Sequence, residues 1–109
     1  MQRLGWVIGI HPEKIAEYKT LHAAAWPAVL ATIKACGIRN YTIYLREPEN
    51  LLFAHFEYHG VDFAADMARM AADETTRRWW ALTDPCQQGL ESRKQGEWWA
   101  PLIEVFHSD

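Results

Sequence analysis

Between Gln2 and Ile10 the side chains alternate. Leu4, Trp6, Ile8 and Ile10 fall on one side, and Arg3, Gly5, Val7 and Gly9 on the other. A period of two predicts a strand. From about Pro12 to Ala35 the period changes: Ile15, Tyr18, His22, Trp26, Val29, Leu30 and Ile33 recur at three- and four-residue spacing. That spacing predicts a helix with one apolar stripe. Pro12 suits its first turn. Pro27 removes an N–H and crowds the carbonyl of Ala23, so a kink or restart is expected near Trp26. Gly37 is the C-cap candidate. Arg39 to Leu45 reads as a second strand, with Tyr41, Ile43 and Leu45 on one face. Glu47 to Asn50 is a turn, and Leu51 to Tyr58 a third strand completing a hairpin. Helical character returns from about Asp62 to Thr83, interrupted near Ala72 to Glu74, with Asp62 and Asp73 as capping candidates. Pro85 to Pro101 is polar and irregular apart from Trp98-Trp99. Leu102 to Phe106 reads as a short final strand.

This β-α-β-β-α-β order is the split, ferredoxin-like arrangement of an α+β domain, and residues 1–109 form that single domain. Helices are expected on one face of an antiparallel sheet. In the third strand Leu51, Phe53 and His55 oppose Leu52, Ala54, Phe56 and Tyr58, so both faces are substantially apolar. A face without helices stays exposed unless a second copy covers it, which predicts a homodimer packed sheet to sheet.

Charge and composition narrow the function classes. With 11 Lys and Arg against 14 Asp and Glu, the formal charge is −3. The densest basic spot is Arg77-Arg78, which supplies no face for nucleic acid. The apolar run Leu4 to Ile10 is too short to span a membrane and lacks a small-residue cleavage site. The expectation is a cytoplasmic protein, or one whose export signal has been removed, with neither nucleic acid nor membrane as partner. Cys36 and Cys86 are read as two reduced, mostly buried thiols, since a disulfide scaffold would carry more. Four of the six tryptophans form two adjacent pairs, Trp79-Trp80 and Trp98-Trp99. Neighbours on a helix or strand cannot both enter one core, so some indole surface is expected to face something else.

Among the five histidines, His22 lies on the apolar stripe four residues after Tyr18, which sets an imidazole beside a phenol on one inward face. A hydrogen-bonded core histidine explains the same pattern. His55 is a weaker version of it, while His11, His59 and His107 sit near element ends. His22, His55, Glu57 and Glu104 are the only set with a chance of converging on a metal. No His-Glu-x-x-His pattern supports one, and no Gly-rich phosphate loop or serine nucleophile elbow occurs. The expectation is no metal and no cofactor. Arg77-Arg78-Trp79-Trp80, with Asp84 beyond, mixes aromatic and polar groups as a carbohydrate site does, an indole face suiting the C–H bonds of a sugar. One member of each Trp pair is equally readable as core.

Several segments, in order, resemble the L-rhamnose mutarotase family. They are Glu17-Tyr18-Lys19 leading to His22, Trp26-Pro27, Asn40 to Leu45, Asn50 to Ala54, Arg78-Trp79-Trp80 and Glu104-Val105-Phe106. The resemblance spans nearly the whole chain. It implies a dimeric α+β barrel of ferredoxin-like protomers that interconverts sugar anomers without a cofactor. By position it implies that His22 is the catalytic acid and that Tyr18, Tyr41, Trp79 and Trp80 bind the monosaccharide. Ala23-Ala24-Ala25 and Ala28 stand where family members often carry polar or acidic residues. The tail Gln95 to Pro101 also departs from the rhamnose pattern and is closer to relatives linked with L-fucose. L-Fucose is therefore an alternative substrate. A cofactor-independent monooxygenase and a non-catalytic binding module are alternatives on the same fold.

Overall fold

The computed structural model describes residues 1–109. The chain runs through β1 (Gln2–Ile10), a short 3-10 turn, α1 (Ile15–Ala23), α2 (Pro27–Ala35), β2 (Ile38–Arg46), β3 (Leu51–Tyr58), α3 (Phe63–Ala72), α4 (Glu74–Thr83), β4 (Gln87–Gln88) and β5 (Ala100–Pro101). The sheet order is β2-β3-β1-β4, with β5 also on β1. This is the expected ferredoxin-like α+β arrangement, curled into a half-barrel.

Both expected breaks occur. Trp26 is extended (φ −69, ψ 128), as a residue before proline prefers, and Pro27 opens α2 as its first residue. The single long helix is thus two short ones meeting at Trp26. Asp73 separates α3 from α4 and caps the latter, accepting from Thr76 N–H at 2.9 Å and from Thr76 Oγ1 at 2.8 Å. Gly37, at φ +85, ends α2 in the left-handed region that glycine enters without penalty.

Antiparallel register fixes which residues share a face. Ile43, Ala54 and Trp6 lie in one row, and Leu45, Leu52 and Ile8 in the next. These face the helices. Tyr44, Phe53 and Val7 form a row on the outer face, with Thr42, His55 and Gly5 beside them.

The helix-side core is divided. One cluster holds Ile8, Ile10, Tyr18, Leu52 and Cys86. The other holds Cys36, Ile38, Phe56, Tyr58 and Met70. Small domains usually have one contiguous core. Here partly buried aromatics, Trp6, Trp80 and Trp99, edge the two groups.

The fourth strand differs from expectation. Gln87 and Gln88 pair with Ile10 and Gly9, and Ala100 and Pro101 pair with Val7 and Trp6 in the same antiparallel sense. Together β4 and β5 are one edge strand interrupted by the loop Gly89–Trp99. Gly9 permits the approach, because a Cβ there would lie 2.7 Å from the Gln88 carbonyl oxygen. The strand expected at Leu102–Phe106 does not form. Leu102 N–H reaches Gly5 O at 2.8 Å, and the chain then leaves the sheet with Ile103, Val105 and Phe106 exposed. Strand propensity without a row of backbone partners does not make a strand.

Candidate active site

The Trp26-Pro27 break is what creates the site. It ends α1 one residue after His22, at Ala23. His22 Nδ1 lies 2.8 Å from the Tyr18 carbonyl oxygen. A carbonyl only accepts, so Nδ1 carries the hydrogen in this contact and Nε2 is the nitrogen left to exchange a proton.

Four rings follow one another from there. Tyr18 and His22 lie with centroids 4.2 Å apart. His22 meets Trp79 edge to face at 5.2 Å, and Trp79 meets Trp26 likewise at 5.3 Å. Trp79 is buried on the inward stripe of α4, with Thr76 and Thr83 three and four residues away. Trp80 diverges, as helical neighbours must, and packs against the second core cluster. Of the predicted platform, Trp79 borders the imidazole and Trp80 packs on the other cluster, away from it. Arg78 leaves the site altogether, pairing with Glu74 at 2.7 Å on the surface.

Tyr41 reaches the inner face through a bulge. The β2–β3 register shifts between Arg39 and Thr42, and Asn40 takes φ 52. Bulges re-aim side chains beside sites. The Tyr41 ring meets Phe56 at 5.7 Å. Burial, and then the neighbouring Tyr18 phenol, pushes the Tyr41 pKa upward. Burial likewise pushes the Tyr18 phenol up to about 12, partly offset by a hydrogen bond from Gln87. Both phenols therefore keep their protons near neutral pH and are available as hydrogen-bond donors.

Trp98 and Trp99 separate. Trp99 packs on the first core cluster and lies 6.5 Å from Trp6. Trp98 sits at the rim, 38% exposed, its indole N–H donating to Gln87 Oε1 at 2.8 Å and Arg93 above its ring. Gln87 is the residue that sequence reasoning missed. It is buried and donates to the Tyr18 hydroxyl at 3.1 Å. A glutamine inside a polar stretch carries no periodic signal of burial.

The set weighed for a metal does not come together. His55 and Glu57 occupy the outer face of β3, whereas His22 lies on the helix side. No group of three His, Cys, Asp or Glu is close enough to hold an ion. Cys36 and Cys86 are free and buried, and the Cys86 thiol donates to Glu17. No helix is long and apolar enough to cross a membrane.

The chain is similar to known proteins along its whole length. The family model described as L-rhamnose mutarotase matches residues 3–108. An L-rhamnose mutarotase of Verminephrobacter eiseniae is 35% identical over 102 residues, covering 90% of this chain and 88% of the relative. One from Oceanobacillus iheyensis is 29% identical over 109 residues, covering all of both chains. The crystal structure of an L-rhamnose mutarotase from Formosa agariphila superimposes with a TM-score of 0.79 over both full chains at 23% identity, which establishes the shared fold.

Proposed function

The chain belongs to the L-rhamnose mutarotase family, and on that premise we propose that it exchanges the α and β anomers of L-rhamnose through the open-chain aldehyde, His22 moving the proton. It is an isomerase of sugar anomers. The carrying observation is the His22 imidazole, fixed through Nδ1 and placed among the rings of Tyr18 and Trp79.

Opening the ring puts a proton on the ring oxygen and passes the proton of the anomeric hydroxyl to water. The C1–O5 bond breaks as the C1 carbonyl forms. Rotation about C1–C2 and closure on either face complete the exchange, and both protons are returned. In this reading protonated His22 Nε2 supplies the ring-oxygen proton and recovers it on closure, as a positioned acid–base side chain does in both directions. Tyr18 and Tyr41 donate hydrogen bonds to sugar oxygens. Trp79 and Trp80 face the apolar side of the sugar, including its C6 methyl. The residue roles follow from position and chemistry, and a cytoplasmic location accords with the two free thiols.

The reaction is tested by saturation-transfer NMR on L-rhamnose. Enzyme-dependent transfer between the two anomeric resonances is expected, and its absence would refute the reading. Running L-fucose, L-lyxose and D-glucose alongside ranks the substrates. A larger rate on L-fucose would change the sugar and leave the reaction in place.

We further propose that two chains pair through the outer faces of their sheets. On that face Tyr44 is exposed, and Leu102, Ile103, Val105 and Phe106 lie in a tail with little of their own chain over them. Exposed apolar side chains in such number mark an interaction surface. Light scattering after size exclusion is expected to give twice the 12.6 kDa of one chain, and a monomer at micromolar concentration would refute the pairing.

A further inference from the structure

Gln87 is 5% exposed, in the first residue of an edge strand only two residues long. Burying an amide costs free energy unless its groups find partners. Gln87 finds both, and they run in one direction. The Trp98 indole is a donor without an acceptor, so the amide oxygen of Gln87 must be the atom that faces it. The amide NH₂ then faces Tyr18, whose hydroxyl oxygen accepts. A hydroxyl that accepts from one side sends its own hydrogen elsewhere. The surroundings support this arrangement, since Gly9 lets β4 close on β1 and the Arg93 guanidinium lies over the Trp98 ring.

We propose that Gln87, anchored by Trp98, is a positioning residue that directs the Tyr18 hydroxyl hydrogen onto an oxygen of the bound sugar. The sequence of donors is indole N–H to amide oxygen, amide N–H to phenol oxygen, and phenol O–H to substrate. The inference rests on the reading of His22 and Tyr18 as site residues. It gives the loop Gly89–Trp99 a task beyond covering the core: the loop carries the donor that fixes the amide, and the amide fixes the phenol of its own chain.

Reversing one link provides the test. In Gln87→Glu the carboxylate accepts from both neighbours, so Tyr18 turns its hydrogen toward residue 87 and away from the sugar. Exchange efficiency on L-rhamnose is expected to fall roughly 3–10-fold, the worth of one hydrogen bond, and by a similar factor in Tyr18→Phe. The double variant is expected to lose no more than Tyr18→Phe alone, because both changes remove the same contact. A variant acting by general loosening would multiply the losses, and that result would overturn the proposal. Should Gln87→Glu fail to fold, Trp98→Phe keeps a ring and removes only the indole N–H. A loss of about 2–3-fold is expected in the wild-type background and none in Tyr18→Phe. Wild-type exchange in folded Gln87→Glu, or in Trp98→Phe where that variant replaces it, would also overturn the proposal. His22→Ala separates the two levels. Retained exchange there would refute the site reading itself. Lost exchange there, with unaltered Gln87 and Trp98 variants, would refute this inference alone.

Discussion

Replacing His22 with alanine is expected to slow enzyme-dependent anomer exchange roughly 10²–10⁴-fold, the usual contribution of a positioned acid–base group. Saturation-transfer NMR on L-rhamnose reads the rate directly. His22→Asn is the sharper variant. Its amide nitrogen takes the place of Nδ1 and keeps a donor for the Tyr18 carbonyl, so the end of α1 stays in place while proton transfer is lost. Both variants are expected to melt cooperatively, because His22 is only partly buried and its ring contacts are worth about 0.5–1.5 kcal/mol apiece. A wild-type rate in either folded variant would remove His22 from the reaction.

Alkaline pH is expected to destabilise the fold through several groups acting in one direction. Burial pushes the Tyr18 phenol to about 12 and the Cys86 thiol to about 11, the latter also raised by Glu17. Tyr41 is raised by burial and by Tyr18, and Tyr58 by burial and by Asp66, to which its hydroxyl donates. A group whose folded pKa lies above its unfolded value stabilises fully below the unfolded value. That contribution is lost as pH rises through the folded value. The window therefore opens near pH 9, where unfolded thiols titrate, and extends to about 12. For Tyr18 alone the rise from 10.0 to about 12 corresponds to roughly 2–3 kcal/mol. Urea midpoints are expected to fall steadily across that window, and Tyr18→Phe to fall less steeply than wild type. A flat midpoint to pH 11 would refute the assignment.

What the sequence disclosed, it disclosed through local chemistry. Pro27 announced the helix break because a proline's missing N–H acts wherever it stands. Asp73 announced the second break because a carboxylate caps the N–H groups immediately after it. Tyr18 and His22 were legible as a pair because helix geometry alone brings residues four apart together. The divided edge strand was not legible. Gln87-Gln88 and Ala100-Pro101 are strands only because β1 offers backbone partners, and their own residues carry no alternation. Leu102 to Phe106 failed in the opposite sense, with strong propensity and almost no partner. Gln87 escaped for the same reason, since a polar side chain's burial is decided by residues distant in the sequence. Whether Trp79 or Trp80 would border the imidazole was likewise a matter of packing that adjacency in sequence leaves open.

The interrupted edge strand has an evolutionary side. Its two halves are each tied to β1, so the span between them can lengthen or shorten while the sheet keeps its register. Doubling such a span costs only about 0.6 kcal/mol in closure entropy. The same span delivers Trp98 and Trp99, one to the rim and one to the inner wall. Diversification toward new sugars thus has a place to act at little thermodynamic risk. A library randomised from Gly89 to Glu97 would explore selectivity on an unaltered scaffold.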